Sequence, residues 1–200
     1  MNLWVTPTRQ QSDIPSPMTI DDKISFFVEA VNGWYLNIAD TCINGRIDED
    51  GNQIDKAIKH SGFAVLAMVM SYFEMIAKYQ AGHTGRQSKI YFRKGVLSVF
   101  GELNDHPRSV VDDVITLLYD DVRNGLYHAA ATSPRIIITG DVRFVMALED
   151  SPQPRLIINP HLLPGKLREH LFNYESQLRD KANVQLRNKF EERFDYQMGD

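Results

Sequence analysis

Cysteine is nearly missing from this chain of 200 residues: Cys42 stands alone, which excludes an internal disulfide and any zinc cage built on thiolates. A reducing, cytoplasmic setting suits such a chain. An excess of positive charge is missing as well. The formal net charge is -4 at pH 7, so the overall field repels nucleic acid and any such contact must come from a local basic patch. No long apolar run stands out. The most apolar segment, Gly62 to Phe73, ends at Glu74, short of the roughly 20 residues of a membrane span. The start, Met1-Asn2-Leu3-Trp4-Val5-Thr6-Pro7, has neither the basic opening nor the apolar centre of a secretory signal, so no membrane association is expected. Internal repeats, a GK[ST] phosphate loop, a His-x-x-x-His pair and a recognisable nucleophile context for Ser or Cys are all lacking, so neither a metal nor a cofactor is expected.

What is present is one mainly α domain. Residues 1–18 are polar and proline-spaced, as in a flexible arm, and residues 19–200 form the domain. Thr19-Ile20-Asp21-Asp22 reads as a capped helix start, with Ile24, Phe27, Val31, Trp34 or Tyr35, and Ile38 as a stripe running to about Cys42. The loop Asp48-x-Asp50-Gly51-Asn52 imitates the opening of a calcium loop. However, Gln53 replaces the required Gly and Lys59 the closing Glu, so a solvated acidic turn is expected. A second helix, about Gln53 to Gln80, is apolar on almost every side except at Glu74, a carboxylate that needs a partner such as Arg123 or a place at the rim. A short basic helix, Ser88 to Phe100, carries Lys89, Arg93 and Lys94 with Arg86 just ahead. This patch can grip a nucleic-acid backbone or serve as an ordinary charged solvent face.

Asn104-Asp105-His106-Pro107 starts a further helix whose buried stripe is Val111, Val114 or Ile115, Leu118, Val122 and Gly125 or Leu126. Period-two patterning then predicts a β-hairpin insertion, about 134–158, in which Arg135 to Thr139 and Val142 to Leu148 pair across Gly140-Asp141, with Arg155 to Ile158 as a third strand. A long C-terminal helix, about 162–195, has Leu186, Phe190 and Phe194 as its last anchors, available to another subunit. His60, His83, His106 and His170 are isolated and read as surface or turn histidines.

The chemistry concentrates in Arg123-Asn124-Gly125-Leu126-Tyr127-His128. Asn124 and His128 lie one helical turn apart, and Arg123 can reach round to the same phosphate. An Arg and a His so placed can stabilise charge and move a proton. Glu74, Asp120 and Tyr127 are candidate supports, although Arg123 bridging to Asp120 or Glu74 and His128 capping the helix end would be ordinary structural roles. Gly125 in a helix interior calls for a reason such as a close backbone approach.

These six residues, near the end of a helix in an apolar bundle, resemble the Arg, polar residue, then His signature of HEPN domains. The resemblance implies a helical bundle of four to five helices spanning roughly Thr19 to Ala131, with the hairpin and final helix as elaborations. It also implies a metal-independent endoribonuclease of the kind found in toxin, phage-defence and RNA-processing systems. Arg123 would stabilise the phosphate, Asn124 would orient the pair, and His128 would act as general acid or base to leave a 2',3'-cyclic phosphate. In such proteins two motifs face each other across a homodimer, and some members pair with a protein antitoxin. Here Ala130 stands where the antitoxin-linked variant has Tyr. Other members are non-catalytic binding modules.

Overall fold

The Thr19 hydroxyl accepts the Asp22 N–H while the Asp22 carboxylate accepts the Thr19 N–H, a reciprocal cap that satisfies two orphan donors. In the computed structural model, which describes residues 5–83, 85–150 and 153–199, this cap opens α1 (Ile20–Val31). A π-helical turn, Asn32–Leu36, links it to α2 (Asn37–Asn44), which Gly45 ends at φ +71°. An unbroken α-helix would continue the buried stripe from Val31 to Trp34 or Tyr35 and on to Ile38. The wider turn inserts a residue, so that Leu36 and Ala39 are buried instead and Trp34 and Tyr35 are 45% and 39% exposed.

The proline-spaced segment lies against α1. Thr6 is fully buried, Arg9 pairs with Glu29 at 2.7 Å, and Pro7 covers Gly33, where a Cβ would stand 2.1 Å from the proline ring. The first four residues of the expected arm are outside the described residues.

The acidic loop is the tip of an antiparallel ribbon, β1 (Arg46–Ile47) and β2 (Gln53–Asp55), closed by Asp48, whose Oδ1 accepts the N–H groups of Asp50 and Asn52 at 3.0 and 2.7 Å. The expected second helix therefore starts later than Gln53, as α3 (Gly62–Val69) and α4 (Ser71–Ala81). Together Gly62–Ala81 spans 20 residues, long and apolar enough by length and composition alone to cross a membrane. This corrects the expectation that the apolar segment is too short to cross a membrane. In the fold it is the core helix, with Val65, Leu66, Val69, Met70, Phe73 and Ile76 all buried.

Helix α4 packs most extensively on α5 (Ser88–Val99) and also on α9 (Val184–Met198). Gly95 permits the first contact, because a Cβ there would stand 1.7 Å from the Phe73 carbonyl oxygen. After a 3₁₀ turn, Gly101–Asp105, Asn104 bonds back to the Gly101 carbonyl at 2.9 Å rather than capping the next helix, and Pro107 occupies the cap position of α6 (Arg108–Thr116). A second π segment, Leu117–Asn124, continues into the short α7 (Gly125–Ala129).

The sheet differs from the expected hairpin. Strands β3 (Ile136–Ile138) and β4 (Met146–Asp150) are not paired with each other, since β5 (Pro154–Ile158) lies between them, parallel to β3 and antiparallel to β4. Leu156 and Ile158 are buried, which places their strand at the centre. The chain leaving β3 is held as a crossover by Asn159, whose amide donates to the Val142 carbonyl at 2.6 Å. The long C-terminal helix is also broken into α8 (Leu163–Arg179) and α9. The Asp180 carboxylate turns the chain by accepting the Ala182 N–H at 2.9 Å, while Arg187 donates to the Leu178 carbonyl at the end of α8. The break folds Phe190 and Phe194 back onto Phe27 and Phe26, with ring centroids at 5.5 and 5.8 Å. Two of the three anchors offered to a second subunit, Phe190 and Phe194, are thereby buried within the chain itself, and Leu186 is half-buried against the same core.

Candidate active site around Arg123

Glu74 is one turn from Lys78 on α4, the spacing and order at which a carboxylate and an ammonium meet on a helix. Its Oε1 lies 2.6 Å from Lys78 Nζ and its Oε2 lies 3.3 Å from an Arg123 nitrogen, so one carboxylate holds two cations. Ser88, at the first turn of α5, donates to the same Oε2 and accepts the Tyr119 hydroxyl at 3.2 Å. Burial by itself would raise the Glu74 carboxyl. The hydrogen bonds from Lys78 and Ser88 and the charges of Lys78 and Arg123 outweigh it and hold the group below its ordinary range. Two cations on one carboxylate leave one positive charge uncompensated.

Arg123 lies within the π segment. Its guanidinium donates to the Asn124 side-chain oxygen at 2.9 Å and stacks over Tyr119 and Tyr127, 5.1 and 5.6 Å from the ring centroids. Its Nε is buried without an acceptor among the described residues. Tyr127 is anchored in turn, its hydroxyl donating to the Ala67 carbonyl at 3.3 Å. Four of the residues singled out in sequence, Arg123, Asn124, Glu74 and Tyr127, are thus brought into one cluster. Lys78, Ser88 and Tyr119 belong to it too and were missed, although the Glu-to-Lys spacing on α4 was a legible signal for Lys78.

His128 lies one turn beyond Asn124 in α7, exposed, and its ring makes no hydrogen bond to another described residue. The reason for Gly125 is the chain itself. Ala130 turns left-handed at φ +50°, and the returning Ala131 carbonyl would stand 2.5 Å from a Cβ at Gly125.

Asp120 is not a partner of Arg123; it pairs with Lys89 at 2.8 Å. Arg93 pairs with Asp112 at 2.5 Å, Lys94 lies over the Tyr91 ring, and Arg86 precedes α5 on the loop instead of sharing its face. The four cations therefore form no continuous basic stripe, since two are neutralised by α6 and the segment after it.

His170 is neither a surface nor a turn histidine. From α8 its Nδ1 meets the Tyr72 hydroxyl and its Nε2 the Ser98 hydroxyl, both at 2.9 Å, and Gln80 donates to Ser98 at 3.0 Å. Burial, helped by the charge of Lys166, pushes its pKa down to about 4, so the ring is neutral at pH 7. Sequence spacing offered no signal for this group, whose members come from three helices.

Comparison of the chain with protein-family models, with curated proteins and with solved structures returned no match.

Proposed function

We propose that the chain is a metal-independent endoribonuclease of the HEPN type. In this reading Arg123 neutralises the phosphate in flight, Asn124 fixes the guanidinium, and His128 transfers the proton to leave a 2',3'-cyclic phosphate. The observation that carries it is the arrangement of Arg123. The guanidinium is fixed by Glu74, Asn124 and two tyrosine rings, with one net positive charge left in the cluster, and Asn124 lies one helical turn before the exposed His128, whose ring bonds to no other described residue. A pre-oriented cation and an available imidazole carried on one helical run can act on a phosphodiester without metal. The proposal includes two copies meeting so that their motifs share one cleft. The exposed Tyr127 and Phe63 are residues that such a meeting could cover.

A second reading is a non-catalytic interaction module. It is favoured by the Glu74–Arg123 pair itself, since an Arg already bound to a carboxylate is also an ordinary way to fasten two helices. The deciding measurement is RNA cleavage by the wild type and His128→Ala in excess EDTA, with product ends mapped and both proteins checked for dimerisation. Cleavage by the wild type alone, ending in cyclic phosphate, is expected. No cleavage by a dimeric wild type would overturn the nuclease reading in favour of the module.

A further inference from the structure

Glu74 also faces a second space. A cavity of about 420 Å³ opens between α1, the first π turn, α4 and α9, and its walls include Phe27, Met75, Tyr79 and Phe194. Trp34 and Tyr35, which the π turn rotates out of the core, complete it while staying exposed to solvent. Turning two large aromatic rings out of a helix stripe sacrifices burial, and π turns of this kind are frequent at functional sites.

The polar groups in the walls decide the charge of an occupant. Lys78 is engaged by Glu74 at 2.6 Å, and Glu74 also holds Arg123, which lies outside the walls. Arg193 makes no ion pair among the described residues. It bonds to Gln197 at 2.9 Å, lies over the Tyr79 and Tyr196 rings, and has its Nε buried without an acceptor. One uncompensated guanidinium in an aromatic cleft calls for one negative charge on a flat apolar body. A carboxylate matches the planar donor fork of Arg. A phosphate ester would bring a second charge for which the walls hold no further unpaired cation, since Lys78 is already bound to Glu74, and an alkyl chain would leave the stacking faces unused.

We propose that this cleft binds a small aromatic monocarboxylate, its ring among Trp34, Tyr35, Tyr79 and Phe194 and its carboxylate on Arg193. Arg123, Asn124 and His128 take no part in its walls, which share only Glu74 and Lys78 with the Arg123 cluster.

The test uses Trp34 as reporter in the full chain carrying Trp4→Phe, which removes the other tryptophan. Its emission is titrated with phenylacetate, with the neutral phenylacetamide, with AMP and with oleate. Saturable change with phenylacetate is expected, weakened about tenfold or more for phenylacetamide and in Arg193→Gln, as loss of a charge-assisted hydrogen bond implies. Tyr35→Leu, at an exposed position, should weaken binding several-fold while the circular dichroism spectrum is retained. Should Arg193→Gln fail to fold, the acid and amide compared on the unaltered cleft still decide the matter. Absence of saturation, equal binding of acid and amide, or tighter binding of AMP or oleate overturns the proposal.

Discussion

On one side of α4, Glu74 gathers Lys78, Ser88 and Arg123. Two residues earlier, on another side of the same helix, Tyr72 joins Ser98 and Gln80 around His170. The first cluster keeps its charges and the second has none at pH 7, because burial strips the proton from His170 whereas Glu74 has donors enough to outweigh burial. Both use a serine of α5, and both depend on α4 and α5 lying as close as Gly95 allows. What separates them is the supply of counter-charge: Glu74 ionises because two cations and a hydroxyl reach it, whereas His170 meets hydroxyls and the charge of Lys166, with no carboxylate to hold a proton on its ring.

The largest effect should come from removing the frame the two clusters share. Phe73 is fully buried between Tyr72 and Phe92, and Phe73→Ala is expected to cost about 3–5 kcal/mol in urea unfolding, with both clusters loosened together. A loss under about 1 kcal/mol would show that this packing is not the common support. Glu74→Gln attacks only the charged side and should cost about 1–3 kcal/mol at pH 7, since Lys78 and Arg123 lose their carboxylate. The Glu74 carboxyl sits below its ordinary range in the fold, so its contribution is complete above the unfolded value. The gap between wild type and variant should therefore close as pH falls through the lowered one. A gap independent of pH would mean that the charge is not what matters.

His170 tests the neutral side. Its folded pKa of about 4 lies below its ordinary 6.5, so between these values the unfolded chain takes up a proton that the folded chain refuses. The contribution is present above pH 6.5 and lost on the way down to about pH 4, and His170→Gln should flatten that part of the stability profile. Parallel profiles for the two proteins would exclude His170 as the source. Smallest of all, Lys89→Ala breaks an exposed pair with Asp120 and should change stability by at most about 0.5 kcal/mol. A larger loss would make that pair part of the Arg123 cluster.

Local chemistry was the legible part of the chain. Thr19 announced its helix because a cap is a matter of three residues, and Glu74 named Arg123 as a partner because a carboxylate among apolar neighbours must find a cation. The two π segments were not legible, since a 3.6-residue period assumes the turn they replace. That assumption put Trp34 or Tyr35, and Ile38, in the core, where Leu36 and Ala39 belong. Gly140-Asp141 promised a hairpin because turn chemistry is local, whereas the choice of β5 as the middle strand depends on which residues the helices cover. The break at Asp180 was hidden by apolar spacing that continues through it. His170 takes its partners from α4 and α5, and sequence separation conceals such a group entirely.

The strand order sets an assembly sequence. Strands β4 and β5 follow each other and can zip by closing a short loop, but β3 finds its place on β5 only after the intervening strand has been laid down on the far edge. The short parallel strand is therefore expected to arrive last and to leave first. Because Ser133 and Arg135, just ahead of it, both bind Asp121 inside the second π segment, its departure would slacken the helix that carries Arg123. In hydrogen-exchange terms, the amides joining β3 to β5 should open ahead of those joining β4 to β5, and the Arg123 segment should lose protection along with them.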